Sequence, residues 1–115
     1  MKNNERFTEK AEGAIEQARL SAAALGHSYV GTEHLLLGIV AEDAGLGARI
    51  LRERGVLAPK LKEHIALSAG VGSPGAPAQG LTKHAWTAIE KAAGDAAALG
   101  HSYIGTELLL LGILR

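Results

Sequence analysis

"LGHSYVGTEHLLLGIV", Leu25 to Val40, returns as "LGHSYIGTELLLLGIL", Leu99 to Leu114, with three letters changed in sixteen. The phrase joins a helix ending to a helix beginning. Gly26 permits the left-handed residue that closes a helix, and His27 and Ser28 can satisfy orphan carbonyls or turn amides. Gly31 allows a tight approach, Thr32 is the expected cap, and Glu33 sets a carboxylate against the positive end of the next helix dipole. Tyr29 is expected to bury its ring between helices and keep its hydroxyl near water. The phrase reads as a helix–turn–helix corner, written twice.

Laying Leu25 on Leu99 aligns Thr8–Val40 with Thr82–Leu114, where 22 of 33 positions are identical. A match of that density is an internal duplication. The spacing predicts four helices in the first copy. The first carries Ala11, Ala14, Ile15, Ala18, Ala22 and Leu25 at helical intervals, with Thr8 as N-cap. The second, Glu33 to about Glu42, is apolar almost all round, the mark of a buried helix. A third runs from about Leu46 to Arg54 and stops at Gly55. Pro59 suits the first turn of a fourth, with Leu61, Ile65 and Ala69 facing inward. The second copy predicts a fifth helix, about Lys83 to Leu99, and a sixth after Thr106. Counterparts of the third and fourth helices would occupy about positions 116 to 144. The expected organisation is repeat one over 8–70, a Gly/Pro linker "VGSPGAPAQG" over 71–80, and a shorter repeat two over 81–115.

Composition agrees with an all-α chain. Four aromatics occur in 115 residues, while Ala and Leu, which lose little on entering a helix, are abundant. Twelve basic residues balance twelve acidic ones, so the basic footprint that nucleic acid demands is absent. No cysteine occurs, which removes disulfides, thiolate metal sites and a Cys nucleophile. The amino terminus is polar and no apolar run reaches the roughly twenty residues of a membrane span. These features predict a cytoplasmic domain with neither nucleic acid nor membrane as partner.

His27, Ser28, Tyr29 and Glu33 invite a catalytic reading, but adjacency in sequence is not triad geometry, and Ser28 sits in no nucleophile elbow. A metal reading also lacks support: "EHLLLG" has no second His one helical turn after His34, and His27 and His101 each stand alone in their copies. Structure accounts for most of the phrase. Glu33 and its echo Glu107 are the residues it explains least, since Asp would serve a helix start equally well.

The pattern "RFTEKA … LGHSYVGTEHLLLGIV … GLGARILRERGV", followed after the linker by "LGHSYIGTE.LLLGIL", resembles the double Clp N-terminal domain, most of all the version on ClpC-type AAA+ unfoldases. The resemblance runs from Arg6 to Arg115 and implies tandem four-helix repeats packed about a pseudo-twofold axis. It implies binding without catalysis: adaptor proteins and protein substrates dock on the domain, and the Clp ATPase ring of the parent chain threads them into the ClpP protease. No GxxxxGK[ST] phosphate loop occurs, so neither ATP nor another cofactor or metal is expected on this chain. The resemblance further implies recognition of phosphorylated arginine, one pocket per repeat. Glu33 and Glu107 would face the guanidinium, and Thr8 and Thr82 would help hold the phosphate. One departure is Leu108, where the family usually keeps the His seen at position 34. A stand-alone accessory protein regulating Clp assembly is the alternative.

Overall fold

The computed structural model describes residues 7–42, 45–72, 75 and 80–114. Six helices carry the fold, as the spacing of apolar residues predicts. Helix α1 spans Glu9–Ala24 and starts at Thr8, whose hydroxyl accepts the Ala11 N–H at 3.1 Å. Its buried stripe, Ala11, Ala14, Ile15, Ala18 and Ala22, is built almost wholly of alanine. Small side chains let another helix approach the backbone. Helix α2, Thr32–Ala41, uses that space: a Cβ on Gly38 would collide with the Ala14 carbonyl oxygen. The second copy repeats the crossing. Helix α5, Lys83–Ala98, is capped by Thr82, and Gly112 of helix α6, Thr106–Leu114, lies against the Ala88 carbonyl.

Each first helix closes as its sequence predicts. Gly26 and Gly100 take φ of 77° and 73°, and the His27 and His101 amides reach back to Ala22 and Ala96 at 2.8 Å. The left-handed residue turns the chain so that the six-to-one hydrogen bond can form.

The turns between helices carry a feature absent from the sequence reading. Strand β1, Tyr29–Val30, pairs in parallel with strand β2, Gly80–Leu81, and Phe7 bridges Ile104 in the same sense. The Thr82 amide donates to the Val30 carbonyl and the Thr8 amide to the Ile104 carbonyl, both at 2.9 Å. Each copy's leading segment is thereby stitched to the other copy's turn. The core is shared accordingly: Ile15, Val30, Leu35 and Ile39 join Ile89, Ile104 and Leu109 in one buried cluster.

Helix α3, Leu46–Glu53, belongs to the first copy but lies on the second. Its Gly47 amide donates to the buried hydroxyl of Thr106 at 2.9 Å. Helix α4, Ala58–Ala69, has Pro59 in its first turn and seals a smaller cluster of Leu25, Leu37 and Ile65. No α4 counterpart lies over Leu99 and Leu111 among the described residues, and they are 61% and 40% exposed, against 5% and 4% for their equivalents Leu25 and Leu37. The predicted inward face of Ala69, and most of the 71–80 linker, lie outside the described residues.

Two expectations need correction. Tyr29 and Tyr103 are 61% and 55% exposed rather than buried, because the turn they occupy is held by backbone pairing and not by ring packing. Thr32 is the first residue of α2 and not its cap; Gly31 holds that position, and its N–H donates to His34 Nδ1 at 2.9 Å. The β-stitches also place Thr8 beside the second copy's turn and Thr82 beside the first's, so the candidate residues are grouped across the repeats.

Candidate functional site

A hollow of about 240 Å³ opens where α1, α3 and α6 begin, lined by Thr8, Lys10, Leu46, Tyr103, Thr106 and Glu107. Local sequence explains the arrangement. Thr8 ends the extended segment that bridges Ile104, which sets the head of α1 next to the "GTE" that opens α6. Gly45 ends the loop before α3 and places that helix's first turn on the same hollow. Three helix N-termini therefore converge with the positive ends of their dipoles, the Ala11 and Gly47 amides among their first turns being taken up by the Thr8 and Thr106 hydroxyls. Glu107 supplies the acid and Lys10 an exposed cation.

The glycine before each site threonine has a specific task. A side chain on Gly31 would strike the Glu33 carboxylate, and one on Gly105 would strike that of Glu107. Each carboxylate thus folds back over the start of its own helix, close to the free amides. This accounts for Gly-Thr-Glu as a unit more fully than a dipole argument alone. Asp, one methylene shorter, would not fold back over the glycine in the same way.

On the other side, β1 and β2 set the Thr82 amide on the Val30 carbonyl, three residues before Glu33. Ile39 and Thr106 lie under α3 in the first case. Their equivalents, Ile113 and Thr32, line a hollow of about 270 Å³ with His84, Thr87 and Lys91. The Glu33 side chain is 45% exposed, while Glu107 is half-buried. The first turn of α5 carries Lys83 and His84 and no acid, whereas α1 carries Glu9 and Glu12. The two repeats therefore carry the same Thr and Glu positions with different neighbouring charges.

The family resemblance points to Thr8, Thr82, Glu33 and Glu107 but to neither Lys10 nor Leu46. Leu46 could have been found only by knowing that α3 crosses to the other repeat. His34 and His27 meet at 2.7 Å, Nε2 to Nδ1, which brings together two residues that the sequence left separate. Burial lowers the His34 pKa; the Glu33 carboxylate partly opposes this and His27 adds to it. Among the described residues, no group of three or more His, Asp or Glu is placed to hold a metal ion, and no helix is long and apolar enough to cross a membrane.

The Clp repeat (R) N-terminal domain model matches residues 6–115. This chain belongs to the Clp repeat family. As a Clp repeat domain it is 39% identical over 110 residues to the chaperone protein ClpB of Oceanobacillus iheyensis. It is 39% identical over the same length to the negative regulator of genetic competence ClpC/MecB of Bacillus subtilis. Each match takes in 96% of this chain and 14% of the relative, so the Clp repeat domain spans a small part of those proteins. Among solved structures, the N-terminal domain of ClpD from Arabidopsis thaliana superposes with a TM-score of 0.74 at 26% identity, over 94% of this chain and 75% of that one. The Hsp104 N-terminal domain from Candida albicans shares the fold, with a TM-score of 0.75 at 19% identity over 96% and 75%.

Proposed function

We propose that this Clp repeat domain is a non-catalytic docking module of a Clp ATPase. It receives adaptors and protein substrates bearing phosphorylated arginine, which the parent chain unfolds for degradation by the ClpP protease. The observation that carries the reading is Glu107 in one hollow with the heads of α1 and α3. Phosphoarginine has a planar, N–H-rich guanidinium joined to a phosphoryl group. A carboxylate takes the first as acceptor, and helix-terminal amides with Thr8 suit the second. Thr82 and Glu33 would supply the same two groups for a second pocket.

The test is calorimetric titration with a phosphoarginine peptide, its arginine and phosphoserine counterparts serving as controls. The phosphoarginine peptide is expected to bind most tightly. Glu107→Ala is expected to lower affinity roughly tenfold to a hundredfold, the range of a lost charge-assisted hydrogen bond. Glu33→Ala, at the second pocket, is expected to lower it as well. Unchanged affinity in both variants and in the double variant would overturn the reading.

A further inference from the structure

We propose that His27 and His34 form an acid-opened clasp, which ties the end of α4 and the start of α2 to the α1–α2 turn only while both rings are neutral. Hydrogen-bond geometry assigns every proton in it. The Gly31 N–H donates to His34 Nδ1, so the neutral His34 ring carries its hydrogen on Nε2. That Nε2–H points at His27 Nδ1, 2.7 Å away, which must accept. His27 then keeps its hydrogen on Nε2, 2.8 Å from the Gly70 carbonyl oxygen. Three bonds in series need two neutral rings in one pair of tautomers.

An added proton has no place in this chain that preserves it. On His27 Nδ1 it faces the His34 Nε2–H, unless His34 moves its hydrogen to Nδ1. There it opposes the Gly31 N–H. Placed directly on His34 Nδ1, it meets the same opposition. His34 is also 2% exposed, so a charge there would lack water.

The surroundings do not supply a counter-ion strong enough to reverse this. Glu33 Oε2 lies 4.0 Å from His34 Nδ1 and favours the charged ring, but burial outweighs it and His27 opposes it. α1 turns alanines toward α2, while α4 buries Ile65 and keeps Lys60, Lys62, Glu63 and His64 exposed. α3 keeps Arg49, Arg52 and Glu53 exposed, α5 keeps Lys83 and His84 exposed and Lys91 half-buried, and Glu107 of α6 belongs to the other hollow.

The clasp joins segments distant in sequence. Gly70 ends α4, and beyond it the Gly72 amide donates to the Leu25 carbonyl at 2.8 Å. Acid therefore loosens the root of the inter-repeat linker and the α2 start that bears Glu33. The second copy has no such device: Leu108 stands in place of His34 and His101 is exposed. The sign is definite. Because the folded-state pKa of His34 lies below the unfolded value of about 6.5, the clasp's stability is full above that pH. It is lost as pH falls from there through the folded value.

The experiment follows denaturant unfolding of the whole chain from pH 8 to 5 for wild type, His34→Gln and His34→Leu. Gln offers an oxygen acceptor and an amide donor at the positions of Nδ1 and Nε2 without titrating, and Leu already occupies the equivalent seat at 108. Below pH 6.5 the wild-type unfolding constant should rise by up to about tenfold per pH unit more than in either variant. At pH 5 the amide protection of Gly31 and Gly72, relative to intrinsic exchange at that pH, should be lower in wild type than in His34→Gln. Equal pH slopes in all three proteins would overturn the proposal, as would nitrogen-15 NMR placing the neutral His34 hydrogen on Nδ1.

Discussion

Thr8 and Glu107, at opposite ends of the chain, line one hollow, because the Thr8 amide is bonded to the Ile104 carbonyl two residues before the site's glycine-threonine step ends. Energetic coupling should follow this geometry and not the order of the repeats. In a double-mutant cycle on phosphoarginine binding, Thr8→Ala and Glu107→Ala are expected to couple by about 0.5–3 kcal/mol, whereas Thr8→Ala and Glu33→Ala should add. Coupling of Thr8 with Glu33 would mean that ligand contacts ignore the observed hollow.

Leu25 and Leu99 are the same residue in the same repeated phrase, yet α4 covers only the first. Leu25→Ala should destabilise by about 2–5 kcal/mol, the range for emptying a packed leucine site. In a chain of residues 1–115, Leu99→Ala should stay within about 0.5 kcal/mol, as surface changes do. Thermal or urea unfolding of the two variants checks the contrast, and comparable losses would contradict the exposure seen at Leu99.

Glycine at the helix crossings provides a sharper comparison. Alanine favours a helix interior over glycine by about 1 kcal/mol, so each Gly→Ala change would stabilise if space allowed. At Gly94, on the exposed face of α5, nothing lies near the added methyl, and Gly94→Ala should stabilise by about 0.4–1 kcal/mol. At Gly38 and Gly112 the methyl would meet a backbone carbonyl that cannot rotate away. Those two variants should lose about 1–3 kcal/mol, the cost of overpacking. Opposite signs in one unfolding series would separate packing from propensity.

Local signals in the sequence carried the helices. Thr8 and Thr82 cap, Gly26 and Gly100 close, and the alanine stripe marks a buried face, because each depends on neighbours within a turn or two. The strands were not legible, since two-residue pairings such as Val30 with Leu81 have no period to detect. Nor was the crossing of the sites. "GHSYVGTE" and "GHSYIGTE" are near-identical, so neither says which repeat its turn will meet. His34 illustrates the remaining limit. Its acceptor role comes from Gly31 on one side and its contact with His27 spans the turn, so no spacing rule for metal or catalysis describes it.

The hydroxyls of Thr106 and Thr32 give the last test, since the same residue of the repeat has two different tasks. Thr106 is buried and accepts the Gly47 amide, which holds α3 across the second copy and forms one wall of the Glu107 hollow. Thr106→Val preserves shape but strands that amide away from water, and should cost about 1–3 kcal/mol. Thr32 borders the open hollow beside Ile113 instead. Among the described residues no amide donates to the Thr32 hydroxyl, so in a chain of residues 1–115 Thr32→Val should shift stability by no more than about 0.5 kcal/mol. Amide exchange at Gly47 supplies an independent readout: it should accelerate in Thr106→Val alone, and a protected Gly47 there would show that α3 is held by its apolar contacts without this bond.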